Sequence, residues 1–199
     1  MSPEKQAGLV LALSTLAVVT FYYVVEMARA APTTAVVAGG NGAMAPAVVP
    51  VKAEPPAFDR QLLFPLRGHD RALLRDNFAE VRGKRQHEAL DIMAPRGTPV
   101  VAVDDGRVVK LFTSAAGGLT VYQFDAEQKY AYYYAHLDDY AKGLSEGMYL
   151  KRGDLVGLVG STGNAPVNAP HLHFTIFELG PERKWWKGRA INPYPYLRQ

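Results

Sequence analysis

The chain has 199 residues, 48% of them hydrophobic and 21% charged, with a formal net charge of +3; this is an ordinary globular composition with room for one domain and some additional segments. The mild basicity suits an anionic polymer or surface but falls far short of the dense Lys/Arg stripes of nucleic-acid binders, so no nucleic-acid partner is expected. There is no cysteine, which excludes disulfides, thiolate metal sites and cysteine nucleophiles together, and leaves His, Asp or Glu to hold any metal.

Residues 7–25, "AGLVLALSTLAVVTFYYVV", carry no charge. At 1.5 Å per residue a helix of that length crosses a bilayer, and it is too long for a typical signal-peptide core. The following "MARAA" places Ala28 and Ala30 in the small-x-small spacing of a cleavage site, so residues 1–30 read as a retained membrane anchor or, alternatively, a removed signal segment. Lys5 and the amino terminus, opposed by Glu4, favour only weakly an orientation with the N-terminus in the cytoplasm. Residues 31–57 are built mainly from Ala, Val, Pro and Gly without apolar periodicity, a linker that spans roughly 30 Å as a coil. The chain beyond this linker is expected to lie on the export side.

From residue 58 to 199 the texture is that of one domain. "DRALLRDNFAEV" begins with Asp70 as a capping residue and sets Leu73, Leu74 and Phe78 at helical spacing, which predicts one short helix. "PVVAV", "GRVVKLFT", "GLTVYQF", "YAYYYAHL", "YLKRGDLVGLVG" and "HLHFTIFEL" come next, rich in β-branched and aromatic residues and bounded by turn signals such as Asp105-Gly106 and Gly117-Gly118. They predict an antiparallel, mainly β domain, sandwich- or barrel-like, and their close spacing leaves no room for βαβ crossovers. The closing "INPYPYL" contains two prolines and is expected to strap along the domain rather than form a central strand.

The five histidines are His69, His87, His136, His171 and His173. In "HLHFTIF", period two puts His171, His173, Thr175 and Phe177 on one face and Leu172, Phe174 and Ile176 on the other. In "HEALD", His87 and Asp91 lie four apart: about 6 Å on a helix, but about 13 Å on a flat strand. The flanking residues suit neither a helix start nor a helix body, so the two can meet at one ion only if the backbone bends between them. In "YAYYYAHL", Tyr130, Tyr132, Tyr134 and His136 should share one strand face, either a groove wall or an aromatic side of the sheet. A catalytic zinc site takes three protein ligands and an open position, and His87, Asp91 and one of His171 or His173 supply three.

The motifs "RQHEALDIMAPRGTPVVAVDDGRVV", "YYYAHLDDY" and "GLVGSTGNAPVNAPHLHFTIF", in that order, resemble the lysostaphin-type (LytM-type) zinc metalloendopeptidases, which cut peptide cross-links of peptidoglycan. The resemblance covers roughly residues 75–195 and implies a fold of the duplicated hybrid motif type. It assigns one zinc per chain to His87, Asp91 and His173, and catalytic roles to His136 and His171. One of these two would take a proton from the zinc-activated water while the other hydrogen-bonds the oxyanion; the sequence leaves the division open and favours His171 as the base, because it stands two positions from a ligand on one strand face. The expected location is the cytoplasmic membrane, with the catalytic domain in the periplasm or outside the cell, or secretion after signal cleavage. The bond cut is left open between D-alanine–diaminopimelate links and a glycine bridge.

This chain departs from the family pattern in three places. Ala89 stands where glycine is common inside HxxxD, Thr175 where glutamate often comes after HLHF, and "NAPVNAP" replaces small residues before HLH. We expect a strained bend at Ala89, costing on the order of 1 kcal/mol if φ is positive there, and effects on the groove rather than the metal from the other two. His69 reads as a surface or loop histidine. Arg82, Lys84 and Arg85, and Arg183, Lys184, Lys187 and Arg189 around Trp185-Trp186, read as solvated charged faces. Two other functions compete. One is a non-catalytic relative that binds and activates another wall hydrolase, though such proteins typically lack ligands that are all present here. The other is a biotinyl- or lipoyl-carrier module, suggested by "DGRVVKLF" and "KRGDLVGLVG" but lacking the lysine between methionines at a hairpin tip.

Overall fold

In a computed structural model, residues 58–198 are described; the anchor-like run over 7–25 and the linker over 31–57 lie outside them. Among the described residues there are eleven strands: β1 (Val81–Arg82), β2 (Arg85–Gln86), β3 (Leu90–Met93), β4 (Pro99–Val101), β5 (Gly106–Ser114), β6 (Gly118–Asp125), β7 (Tyr130–Tyr140), β8 (Tyr149–Leu150), β9 (Leu155–Val159), β10 (His171–Leu179) and β11 (Gly188–Ile191). β1 and β2 form a separate two-stranded hairpin. The other nine make one sheet with the order β11-β10-β7-β6-β5-β8, in which β3 joins β10, and β9 joins both β7 and β4. Every ladder is antiparallel, as short connections require. The sheet is open, so the barrel-like closure expected from the sequence is not reached: β11 ends one side and the two-residue β8 the other.

The expected helix over residues 70–81 is replaced by a 3-10 turn at Arg71–Leu73. Asp70 does cap it, accepting from Ala72 N–H at 2.9 Å. Leu74, however, is already extended, and the Asp76 carboxylate captures the Phe78 N–H at 3.2 Å, which competes with a helical bond. Leu74 and Phe78 still pack on the core, so the apolar spacing reports burial rather than a helix. At the other end, residues after β11 close with a helical turn, α1 (Tyr194–Leu197), that buries Leu197 fully, consistent with a strap.

β10 is the strand around which the site is built. Leu172, Phe174 and Ile176 are fully buried in the core, as alternation requires. β3 lies along the first half of one edge, with His173 opposite Asp91 and His171 opposite Met93, and β11 continues along the second half. β7 takes the other edge, with His173 opposite Ala135.

β7 corrects one expectation. Tyr132 and Tyr134 are fully buried, their hydroxyls donating to Asp104 Oδ2 at 3.0 Å and Gln123 Oε1 at 2.9 Å, and burial pushes both phenols up. His136 does not share their face. Against β6 the register shifts between Leu119↔Leu137 and Val121↔Tyr134, and His136 takes a left-handed φ of 59°. The extra residue turns the imidazole across the sheet, where its ring lies 4.9 Å from that of His171 and 5.5 Å from that of His173. Bulges re-aim side chains in this way, and a positive φ in a non-glycine residue is costly enough to need support from its surroundings.

Candidate metal centre

Three atoms converge across β3 and β10. His87 Nε2 lies 3.2 Å from His173 Nδ1 and 3.0 Å from Asp91 Oδ1, and His173 Nδ1 lies 2.9 Å from the same oxygen. Around zinc, bonds of about 2.0–2.1 Å at tetrahedral angles set ligand atoms about 3.3 Å apart, so this triangle needs only a slight expansion to hold the ion. His87, Asp91 and His173 form the candidate metal-holding group of at least three such side chains found among the described residues.

The bend that lets His87 and Asp91 meet falls on Glu88, at φ 55°, and not on Ala89. Its backbone is tied on both sides: Glu88 N–H donates to Phe78 O at 2.9 Å, and Thr175 Oγ1 donates to Glu88 O at 2.7 Å. Thr175 is buried and braces the ligand-bearing turn, which corrects the expectation that it touches only the groove. Ala89 is itself buried at 1% exposure. Glu88→Gly is therefore expected to leave stability unchanged or raise it by up to about 1 kcal/mol, since left-handed backbone is costly for an L-residue. Ala89→Gly should lower it by about 1 kcal/mol. Urea unfolding of the metal-free domain separates the two, and the opposite order would move the strain to residue 89.

Asn77, which sequence reasoning passed over, braces two ligands. Its carbonyl accepts from His87 Nδ1 at 3.0 Å, leaving Nε2 unprotonated and free to ligate, while its side-chain Oδ1 accepts from Asp91 N–H at 3.2 Å. Burial alone would push the Asp91 carboxyl up, but the close contacts of His173, His87 and Arg82 overcome this and hold it well below the usual carboxylate range. Burial pushes the His173 imidazole down, with the Asp91 contact opposing. Asp91 thus favours the carboxylate and His173 the neutral imidazole, the protonation states that a metal requires.

The two other histidines are held alike. His136 Nδ1 lies 2.8 Å from Thr162 O, and His171 Nδ1 lies 2.8 Å from Ala169 O. A carbonyl only accepts, so each Nδ1 carries a proton, and the lone pair of the neutral ring is on Nε2. His171 Nε2 is 3.7 Å from Asp91 Oδ1. Burial pushes the His136 imidazole down to about 4, so it is neutral at pH 7. Thr162 and Ala169 belong to the "STGNAPVNAP" loop, which therefore orients both imidazoles; the departure from the family pattern over residues 164–170 includes Ala169 and so bears on the His171 ring as well as on the groove.

Residues around the histidines include an aromatic patch. Tyr133 packs edge-on against His173 at 6.0 Å and continues through Tyr122 at 4.6 Å to Trp185, 4.9 Å beyond. His69 is elsewhere, stacked on Phe64 at 6.0 Å beside a cavity of about 290 Å³ that none of the other four histidines lines.

The sequence profile of Peptidase family M23 matches residues 85–193, more than half of the chain. The L-Ala–D-Glu endopeptidase of Bacillus subtilis is 32% identical over 143 residues, covering 68% of this chain and 42% of that protein. The murein hydrolase activator NlpD of Salmonella dublin is 30% identical over 124 residues, covering 62% and 29%. Among solved structures, the antimicrobial peptidase lysostaphin of Staphylococcus simulans superposes with a TM-score of 0.52 at 28% identity, covering 63% of this chain and 48% of that one. The chain spans less than half the length of each of these relatives.

Proposed function

The chain belongs to peptidase family M23, and from that premise we propose that it is a zinc-dependent endopeptidase hydrolysing peptide cross-links of peptidoglycan. The observation that carries this reading is the meeting of His87 Nε2, Asp91 Oδ1 and His173 Nδ1 within 2.9–3.2 Å, with two further imidazoles turned toward them. Zinc at such a triad supplies a Lewis acid and makes water a usable nucleophile near neutral pH.

The chain's own groups divide the proton work. His171 Nε2 stands 3.7 Å from Asp91 Oδ1, beside the metal-holding triangle, which places it to take the proton of a metal-bound water and favours His171 as the base. His136 is buried and its N–H is committed to Thr162 O. It offers the substrate side an acceptor at Nε2, suited to orienting the attacking water, whereas an oxyanion contact would require a second proton that burial opposes.

Metal analysis of the purified protein should find about one zinc per chain, and chelation should abolish activity. Digestion of defined sacculi followed by mass spectrometry of the released muropeptides should show cleaved cross-links and identify the bond. Full activity in metal-free protein would overturn the proposal. The similarity to NlpD supports a second reading, a non-catalytic activator of another hydrolase; that reading requires stimulation of a partner enzyme with no muropeptide release by this chain alone. We also propose that the apolar run over 7–25 anchors the domain at the cytoplasmic membrane, facing the periplasm or exterior; fractionation of the full chain tests this.

The metal-free fold should be acid-sensitive. Between about pH 6.5 and 4 the unfolded chain binds a proton that folded His136 resists, so stability is fully present above this window and lost as pH falls through it. The contribution is roughly 3 kcal/mol. Asp91, held below the usual carboxylate range, adds stability above that range that is lost only at lower pH. Urea melts at pH 7 and pH 4.5 should differ accordingly, and His136→Asn should reduce the difference, with the depressed His173 keeping a remainder; an equal drop in the variant would assign it to other groups.

A further inference from the structure

The two oxygens of Asp91 are in different hands. Oδ1 faces His87 Nε2, His173 Nδ1 and His171 Nε2, while Oδ2 accepts from Arg82 Nη2 at 2.7 Å. The same Nη2 donates to Glu80 Oε2 at 3.0 Å. Arg82 stands on β1, opposite Arg85 of β2, in a hairpin turned by Gly83 at φ 65°. The hairpin runs directly into the first ligand, where Glu80 O accepts the His87 N–H at 2.8 Å. Its guanidinium is therefore set by backbone pairing and by Glu80 before it meets the carboxylate. This corrects its reading as part of a solvated basic face.

We propose that Arg82 is the positioning residue that confines Asp91 to one metal-binding oxygen; the inference rests on the zinc reading above. A carboxylate can offer a metal one oxygen or both. With two imidazoles and a water in place, a second oxygen from Asp91 would raise the coordination from four to five and crowd the position that a catalytic site keeps for water and substrate. A charge-assisted hydrogen bond on Oδ2 opposes that rotation and fixes the direction of Oδ1. Arg82 touches neither the reacting atoms nor the metal and acts through Asp91.

The test uses the full chain with Arg82→Ala, Arg82→Lys and, as a control on the same hairpin, Arg85→Ala. Zinc affinity is read by competition with a chromogenic chelator, and coordination by the visible absorption of the cobalt(II)-substituted protein. Arg82→Ala is expected to weaken zinc about 10- to 100-fold and to replace intense four-coordinate cobalt bands with weaker five-coordinate ones. Arg82→Lys keeps a cationic donor and should restore part of both, which also covers a failure of the alanine variant to fold; Arg85→Ala should change neither. Unchanged affinity in both Arg82 variants beside a zinc-loaded parent overturns this inference alone. Weakened affinity with unchanged cobalt bands overturns the one-oxygen role. A parent that binds no zinc overturns the zinc reading and this inference with it.

Discussion

His173→Ala is expected to lose both zinc and hydrolysis, whereas His171→Ala should keep zinc and lose about 10²- to 10⁴-fold in kcat/KM. The two residues are on one strand face and two positions apart, yet their ring nitrogens have different partners. His173 Nδ1 is one corner of the triangle with His87 and Asp91, so its removal leaves two ligands where three are needed. His171 Nδ1 donates to Ala169 O, and its Nε2 stands back from the triangle, 3.7 Å from Asp91 Oδ1. Its removal leaves the triangle complete and takes away the group proposed to accept the proton. Zinc content and kcat/KM measured on the same preparations decide the matter: zinc lost from His171→Ala and retained by His173→Ala would exchange the two roles.

The face shared by His171 and His173 was legible because strand alternation is a local rule, and the burial of Leu172, Phe174 and Ile176 obeys it. The antiparallel class was legible from short apolar runs and tight turns. Less accessible were features created by pairing. Nothing within "YAYYYAHL" announces that one residue is inserted against β6, and that insertion places His136 on the face opposite Tyr134. The need for a bend in "HEALD" came from distance, but its location at Glu88 depends on Phe78 and Thr175, one upstream and one 87 residues downstream. Arg82 looked like one of several exposed cations because its partner is chosen by the β1–β2 hairpin, an element too short to carry a periodic signal. The failed helix has the same origin: Leu73, Leu74 and Phe78 have helical spacing, but Asp76 offers its neighbour's N–H a closer partner.

The same dependence on pairing makes Gly118 a sensitive position although it lies outside the five site residues. Its φ is 64°, and a Cβ there would overlap Thr162 Oγ1 and the Thr162 backbone carbon. Thr162 joins three parts of the domain: Oγ1 donates to Leu137 O at 2.7 Å and accepts from Leu119 N–H at 2.9 Å, and its carbonyl holds His136 Nδ1. Gly117 O also accepts the His136 N–H at 2.8 Å. Gly118→Ala is therefore expected to cost about 2–5 kcal/mol, combining a left-handed backbone penalty with overpacking. By displacing the carbonyl that orients His136, it should also reduce kcat by about 10²-fold. Zinc stoichiometry should hold, because the ligands lie on β3, on β10 and in the turn before β3. Gly143→Ala isolates the backbone contribution: Gly143 has φ 82°, and a methyl group added there would meet no atom within 4 Å, so the change should cost about 1–2 kcal/mol and leave kcat unchanged. Equal losses of kcat in the two variants would show that Thr162 does not transmit the change, and His136 would then be held by its own bulge rather than by the loop above it.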